Sequence, residues 1–143
     1  MVSIGEEGYL NATRQILEAA TSIKRGIAAI PELYVLGDPL FVVAFGSNEV
    51  DIYKVMDAMT ERGWRLNGLH RPACLHLCTL RHTQPGFVER LIADLKASVA
   101  SVKANPSVKG GMAPIYGMAN TLPDRSVVAD ALRQHMDGWY RLS

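Results

Sequence analysis

The stretch LYVLGDPLFVVAF, residues 33–45, decides the fold. Its first four residues are aliphatic and aromatic, which is typical of a short strand. Gly37, Asp38 and Pro39 favour turns, so the chain is expected to reverse direction there. Residues 40–45 are apolar without interruption, as in a buried strand. The stretch therefore predicts two strands joined by a turn, most simply a β-hairpin.

A long amphipathic helix is predicted immediately before this hairpin, over residues 8–30. Pro31 ends it, because proline lacks a backbone N–H and its ring clashes with the preceding turn. The predicted core face consists of apolar residues that recur at steps of three and four positions: Tyr9, Ala12, Ile16, Ala20, Ile23, Ile27 and Ile30.

The chain after the hairpin repeats this alternation of helices and strands. Ser47 or Asn48 is the expected N-cap of a second helix, with Asp51 near its positive end. Gly63 fits the left-handed position after its last turn. The remaining predicted elements are strands at residues 64–66 and 73–80, a helix at 85–104, a flexible loop at 105–122 and a final helix from about Pro123.

This order of elements predicts one α/β (α+β) domain over residues 1–143. Helices that alternate with pairs of strands favour two layers, in which a mixed or antiparallel sheet is covered by helices on one face. The hydrophobic fraction of 48% is sufficient for a packed core.

The composition excludes several classes of function. The 15 basic and 14 acidic residues are scattered and give a formal net charge of +1, so no nucleic-acid partner is expected. No apolar run approaches the roughly 20 residues that a transmembrane helix needs. Two cysteines do not indicate a disulfide framework, so a reducing, cytoplasmic location is expected.

Cys74, His76 and Cys78, with His82 close by, are candidate metal ligands. Alternate residues of a strand share a face but advance by about 6.6 Å, which places the two sulfur atoms roughly 13 Å apart. Zinc needs every ligand within about 2.3 Å, so no metal site is predicted. A cysteine that uses His76 or His82 as a base is a second interpretation. A buried structural thiol is favoured over it, because nothing in the sequence marks an activated cysteine.

Residues 110–119, GGMAPIYGMA, are rich in glycine and small side chains. The backbone N–H groups of such glycines can contact phosphate, but no strand precedes them and neither common phosphate-binding glycine pattern is present. Two interpretations stay open. The segment is either a hinge before the final helix or a loop that presents Met112 and Tyr116 to a neighbouring surface.

Several motifs taken together resemble the C-terminal domain of sphingosine-1-phosphate lyases. The resemblance extends over nearly the whole chain and includes the glycine-rich segment, which fits the family's C-terminal signature. The matching motifs are GEEGY at 5–9, LGDP at 36–39, DIY at 51–53, GW at 63–64, Pro72 with His76 and Cys78, and GMAPIYGMA at 111–119.

The resemblance implies a fold-type-I pyridoxal-phosphate enzyme, close to the group II decarboxylases. Such a lyase cleaves the C2–C3 bond of phosphorylated sphingoid bases by a retro-aldol step, giving a long-chain aldehyde and phosphoethanolamine. The resemblance also implies a homodimer and a large domain that binds the cofactor, whose lysine follows a histidine in the family. No lysine of this chain does so, and no catalytic or cofactor-binding residue is carried over: Lys24, Lys54, Lys96, Lys103 and Lys109.

The resemblance assigns one set of residues to the substrate channel. Tyr116 is expected to line it through its hydroxyl or its ring, and Met112 and Ile115 are expected to contact the lipid tail. A tyrosine that anchors the segment to its own domain is the alternative. For the whole chain, the alternatives are a free-standing α/β interaction module that pairs with a separate large domain and the tail of a related amino-acid decarboxylase. A fragment of a larger enzyme should expose an apolar patch.

Overall fold

A computed structural model describes residues 4–80, 85–107, 111–124 and 126–140. Within these ranges the chain forms five helices and four strands. In chain order they are α1 (Gly5–Ala28), β1 (Leu33–Val35), β2 (Val42–Ser47), α2 (Ile52–Glu61), β3 (Asn67–Leu69), β4 (Cys74–Cys78), α3 (Phe87–Ala104), α4 (Ala113–Thr121) and α5 (Ser126–Tyr140).

The strands form one antiparallel sheet in the order β1-β2-β4-β3. The predicted hairpin is confirmed, because β1 pairs with β2 and Val35 lies opposite Phe45. Strand β2 also pairs with β4, where Phe45 lies opposite Leu75. Helices α1, α2 and α3 carry the buried residues that pack with this sheet, which confirms a two-layer α/β fold with an antiparallel sheet.

The core lies between the sheet and these three helices. Val43 and Phe45 of β2 and Leu75 of β4 are fully or almost fully buried there. The apolar stripe of α1 reaches this core in the second half of the helix, where three of the predicted residues are buried: Ala20, Ile23 and Ile27. The first half of the helix is different, and Tyr9 is exposed. Helix α1 ends at Ala28, before Pro31.

Two local predictions in the middle of the chain were wrong. The third strand is Asn67–Leu69 instead of residues 64–66, and Trp64 donates its indole N–H to Asp94 of α3 at 2.7 Å. Trp64 and Leu66, on either side of Arg65, fit the alternation of a strand, but the indole N–H of Trp64 has its partner on a helix. The N-cap of α2 is Asp51, which accepts the N–H of Tyr53 at 3.0 Å. Ser47 instead accepts the two N–H groups of the preceding turn.

The predicted loop at residues 105–122 contains helix α4, so the prediction of a loop was wrong for residues 113–121. Pro114 lies at the start of this helix, where a missing backbone N–H costs nothing. Helix α5 follows, and most of its large apolar residues are exposed, up to 78% and 79% for Trp139 and Tyr140. In the described part of the chain, no helix is both long and apolar enough to cross a membrane.

The packing of α1 onto the sheet predicts that the loss of stability on truncating a side chain of α1 depends strongly on its position. Ile23→Ala should lower the free energy of unfolding by about 2–5 kcal/mol, because Ile23 is fully buried and the variant leaves a cavity. Leu10→Ala, on the exposed half of the same helix, should change it by less than about 0.5 kcal/mol. Urea unfolding of both variants measures the difference, and similar losses in the two would contradict the described packing.

Candidate functional site

The glycine-rich segment is fixed to helix α2 by one carboxylate. Asp57 accepts the backbone N–H of Met112 at 2.9 Å and that of Ala113 at 3.0 Å. These N–H groups lie at the start of α4, where the helix dipole favours a negative charge. Gly111 has φ of +68°, and a Cβ there would lie 2.3 Å from a carboxylate oxygen of Asp57. Only glycine therefore fits both the backbone conformation and the close approach.

Tyr116 rests on the body of the domain one turn further along α4. Its ring stacks on that of Tyr53 in α2, with a centroid distance of 5.3 Å and an interplanar angle of 22°. The same ring covers Gly68 of β3, where a Cβ would lie 2.8 Å from Tyr116. Stacked aromatic pairs stabilise by about 0.5–1.5 kcal/mol beyond the area that they bury. The ring of Tyr116 therefore anchors α4 to both α2 and β3.

The hydroxyl of Tyr53 completes this contact between helix and sheet. It donates a hydrogen bond to the carbonyl oxygen of Leu69 at 2.7 Å. Burial raises the pKa of the Tyr53 phenol, and the nearby Cys74, Asp51 and Tyr116 add to this. The neutral phenol is therefore the form that the folded protein favours.

The far end of α4 is held by the turn between β3 and β4. Arg71 donates from its guanidinium group to the carbonyl oxygen of Leu122 at 3.0 Å. This carbonyl lies just after the last turn of the helix, where its oxygen has no partner within the helix. Helix α4 is thus attached at both ends and in the middle, so its outer surface has a defined position.

The exposed surface at the start and in the middle of α4 carries apolar side chains. Met112 and Met118 are both exposed, and they offer flexible thioether chains to a binding partner. The half-buried Tyr116 makes no hydrogen bond through its hydroxyl to any other residue that the structure describes. Ile115, the third residue assigned to the substrate channel, lies in α4, but its side chain is outside the described part of the chain. The exposed methionines can therefore contact an apolar chain.

The cysteine and histidine residues of β4 do not form a second chemical site. Cys74 is buried and Cys78 is exposed, and both are free thiols. Burial raises the pKa of Cys74, which disfavours the reactive thiolate. Among the described residues no three potential ligands cluster as a metal would require, and His82 falls outside the description.

Four of the five lysines lie in the described part of the chain, and none of the five follows a histidine. Lys24 binds Asp38 and the carbonyl oxygen of Pro39, both at 2.9 Å. Lys103 donates to Glu32 at 2.7 Å, and this bond raises the pKa of its ammonium group. A lysine attacks a carbonyl carbon only as the neutral amine, which a raised pKa disfavours. Lys54 binds the carbonyl oxygen of Pro106, Lys96 is exposed, and Lys109 is outside the description.

Comparison with known proteins gives this fold and site a context. No family model matches the chain. The sphingosine-1-phosphate lyase of Oryza sativa subsp. japonica is 50% identical over 140 residues, which cover 96% of this chain and 26% of the lyase. The sphingosine-1-phosphate lyase of Drosophila melanogaster is 41% identical over 144 residues, which cover 98% of this chain and 26% of that lyase. The chain thus spans about a quarter of the length of the curated relatives that it matches.

Solved structures of pyridoxal-phosphate enzymes are also similar to this chain. The sphingosine-1-phosphate lyase of Burkholderia pseudomallei superposes with a TM-score of 0.75 at 35% identity, over 99% of this chain and 28% of that one. Two structures of the cystine C-S lyase C-DES, both 18% identical, superpose with TM-scores of 0.54 and 0.52 over 60% and 58% of this chain. They share the fold, and one of them holds glycine linked to a pyridoxal-phosphate cofactor.

The chain therefore has the fold of the small α/β domain of fold-type-I pyridoxal-phosphate enzymes. Within that class it is related to the sphingosine-1-phosphate lyases, and it corresponds to their C-terminal portion.

The residues that hold α4 in place were only partly visible in the sequence. Gly111 and Tyr116 lie in the segment that its unusual composition had marked. Asp57 was not found, because an acidic residue in the middle of an amphipathic helix usually faces water. The polar position of Asp57 beside the buried Met56 was its sole signal. The residues next to Gly68 in the sequence do not predict that the ring of Tyr116 packs on it.

Removing the Asp57 carboxylate should loosen α4 selectively. Asp57→Ala leaves the N–H groups of Met112 and Ala113 without their acceptors and should cost about 1–2 kcal/mol. Hydrogen–deuterium exchange should become faster in residues 112–121 and stay unchanged in the second half of α1. Asp130→Ala, which removes a carboxylate paired with Arg133 on an exposed helix, is the matched control. Equal exchange in α4 of both variants would contradict the role of Asp57.

The buried phenol of Tyr53 predicts a pH-dependent contribution to stability. Tyr53→Phe should lower the free energy of unfolding by about 1–2 kcal/mol near neutral pH, because the Leu69 carbonyl loses its donor. The raised pKa means that this stabilisation is complete below the pKa of an unfolded tyrosine, about 10. It is lost as the pH rises through the higher pKa of the folded state.

The measurement is urea unfolding of wild type and Tyr53→Phe from pH 7 to alkaline pH. The difference between the two should shrink as the pH rises, whereas Tyr9→Phe, at an exposed position, should match wild type throughout. A constant difference across this range would show that Tyr53 ionises as it does in the unfolded chain.

Proposed function

We propose that this chain is the C-terminal part of a pyridoxal-phosphate-dependent sphingosine-1-phosphate lyase and is not catalytic by itself. The observation that carries the proposal is the match to the Burkholderia pseudomallei lyase over 99% of this chain, with a TM-score of 0.75. The proposed reaction is the cleavage of the C2–C3 bond of a phosphorylated sphingoid base. The cofactor would be held by the rest of the enzyme, which is supported by the absence of a lysine that follows a histidine in this chain.

The proposed contribution of this chain is to shape the substrate channel. Met112 is 46% exposed beside the start of α4, and its thioether chain suits contact with the lipid tail. Ile115 is assigned to the same channel from the family resemblance. Tyr116 has its ring stacked on Tyr53, and its hydroxyl is proposed to contact the substrate or a residue of the cofactor-binding domain. The Asp57 carboxylate keeps this surface in one position.

The proposed partners follow from the share of the relatives that this chain covers. About three quarters of each relative lies outside the match, which is enough for a large cofactor-binding domain. A homodimer and a phosphorylated sphingoid base complete the proposed assembly. A reducing, cytoplasmic location is part of the proposal, because two cysteines in 143 residues do not indicate a disulfide framework.

A chimaeric lyase tests this function directly. Residues 1–143 replace the corresponding C-terminal quarter of the Oryza sativa lyase, to which they are 50% identical. Lyase activity above that of the truncated Oryza portion supports the proposal. A folded chimaera without activity would contradict it.

Variants of Tyr116 in the same chimaera separate its hydroxyl from its ring. Tyr116→Phe should lower kcat/KM by up to about tenfold, which corresponds to one lost hydrogen bond. Tyr116→Ala should lower it further, because the ring also holds α4 on Tyr53 and Gly68. Tyr9→Phe is the matched control and should leave kcat and KM unchanged. If Tyr116→Phe matches wild type in both constants, the hydroxyl makes no contact with the substrate.

A further inference from the structure

Strand β3 has a glycine at its middle residue, Gly68, where glycine weakens a strand. A glycine inside a strand has no side chain to pack, and it loses more conformational freedom than other residues when the protein folds. The backbone does not require glycine here, because φ of Gly68 lies outside the left-handed region and the residue pairs with Leu75 in the antiparallel ladder. The reason for the glycine is therefore a neighbouring group that occupies the space of a side chain.

That neighbouring group is the ring of Tyr116. A Cβ at Gly68 would lie 2.8 Å from Cε1, 3.0 Å from Cδ1 and 3.1 Å from Cζ of this ring, and these are the nearest described atoms. Carbon atoms in van der Waals contact lie about 3.5–4.0 Å apart, so a methyl group at Gly68 would push the ring away. Because Cζ carries the phenol oxygen, the displaced edge of the ring is the edge that leads to the hydroxyl.

Helix α4 is attached in a way that prevents it from absorbing this displacement as a whole. Asp57 accepts the N–H groups of Met112 and Ala113 at its start, at 2.9 and 3.0 Å. At its other end, Arg71 donates to the carbonyl oxygen of Leu122 at 3.0 Å. A shift of the helix would break these bonds, whereas a shift of the Tyr116 ring alone would leave them intact.

Tyr53 limits the movement of the same ring from α2. The two rings are stacked with a centroid distance of 5.3 Å, and the Tyr53 hydroxyl donates to the carbonyl oxygen of Leu69 at 2.7 Å. Since Leu69 follows Gly68 in β3, this bond ties Tyr53 to the strand that Tyr116 contacts. We define the ring slot by Tyr53 and Gly68, which together determine where the Tyr116 ring lies.

We propose that the ring slot positions the Tyr116 hydroxyl for the lyase reaction, and that Gly68 is a positioning residue that acts through Tyr116. This inference rests on the proposed function, in which the hydroxyl contacts the substrate or a residue of the cofactor-binding domain. Misplacement of a contacting group by about 1 Å can lower a reaction rate by up to about 100-fold. The absence of a side chain at Gly68 is therefore a requirement of the reaction as well as of packing.

A double-mutant cycle in the chimaera with the Oryza sativa lyase tests the role of Gly68. Gly68→Ala should lower kcat/KM by about three- to tenfold, and by no more than Tyr116→Phe does, because both substitutions affect the same hydroxyl. In the Tyr116→Phe background, Gly68→Ala should change kcat/KM by less than about twofold. Gly138→Ala is the matched control, since a Cβ there meets no described atom within 4 Å, and it should leave kcat and KM unchanged.

The Tyr116→Phe background separates positioning from packing. A phenylalanine ring meets the added methyl group of Gly68→Ala as the tyrosine ring does, but it has no hydroxyl to misplace. A role of Gly68 that is confined to packing would therefore lower kcat/KM equally in both backgrounds.

Tyr53→Phe takes the place of Gly68→Ala in the cycle if the latter variant does not fold. It adds no volume to the ring slot and keeps the stacked ring, but it removes the bond to the Leu69 carbonyl that ties this ring to β3. It should also lower kcat/KM with Tyr116 present and change it by less than about twofold in the Tyr116→Phe background.

Each outcome of the cycle decides the inference. Equal losses in the two backgrounds, or no loss in either, would overturn the positioning role in an active chimaera and leave the proposed function intact. Wild-type constants for Tyr116→Phe would overturn it as well, because there would be no hydroxyl contact to position. A folded chimaera without lyase activity would reject the proposed function and the positioning role with it.

Discussion

The pairing of β2 with β4 is the constraint on which the rest of the structure depends. Its register sets Phe45 opposite Leu75 and Val43 opposite Leu77, which turns these side chains towards α1, α2 and α3. Since side chains alternate along a strand, a slip of one residue would exchange the two faces of the sheet. The hydrophobic core and the surface on its reverse side are therefore consequences of one register.

The same register explains why α4 can lie where it does. Gly68 of the edge strand β3 lies opposite Leu75 and thus belongs to the core side of the sheet. Because Gly68 has no side chain, it leaves room for the ring of Tyr116. This ring also stacks on Tyr53 of α2. Asp57 then fixes the start of the helix. A nine-residue helix that is marginal alone becomes ordered through these contacts.

The sequence predicted those features that depend on neighbouring residues and missed those that depend on distant ones. The hairpin and the left-handed Gly63 follow from local pattern and are confirmed, and the predicted stripe of α1 is confirmed in the second half of the helix. The segment at 113–121 contains glycine, proline and few charged residues, so its composition favours a loop, and its helix is determined by contacts with α2 and β3. Trp64 was misplaced for a related reason, since its partner Asp94 lies 30 residues away.

Strand β3 carries contacts of the candidate site on adjacent residues. Gly68 contacts Tyr116 on one side of the sheet, and the adjacent Leu69 points to the other side. The Leu69 carbonyl also accepts the hydroxyl of Tyr53, on which Tyr116 is stacked. Gly68 and Leu69 therefore link α4 and α2 to the same edge strand. Because an edge strand has a neighbouring strand on one side alone, these contacts with two helices add to the single ladder that holds β3 in the sheet.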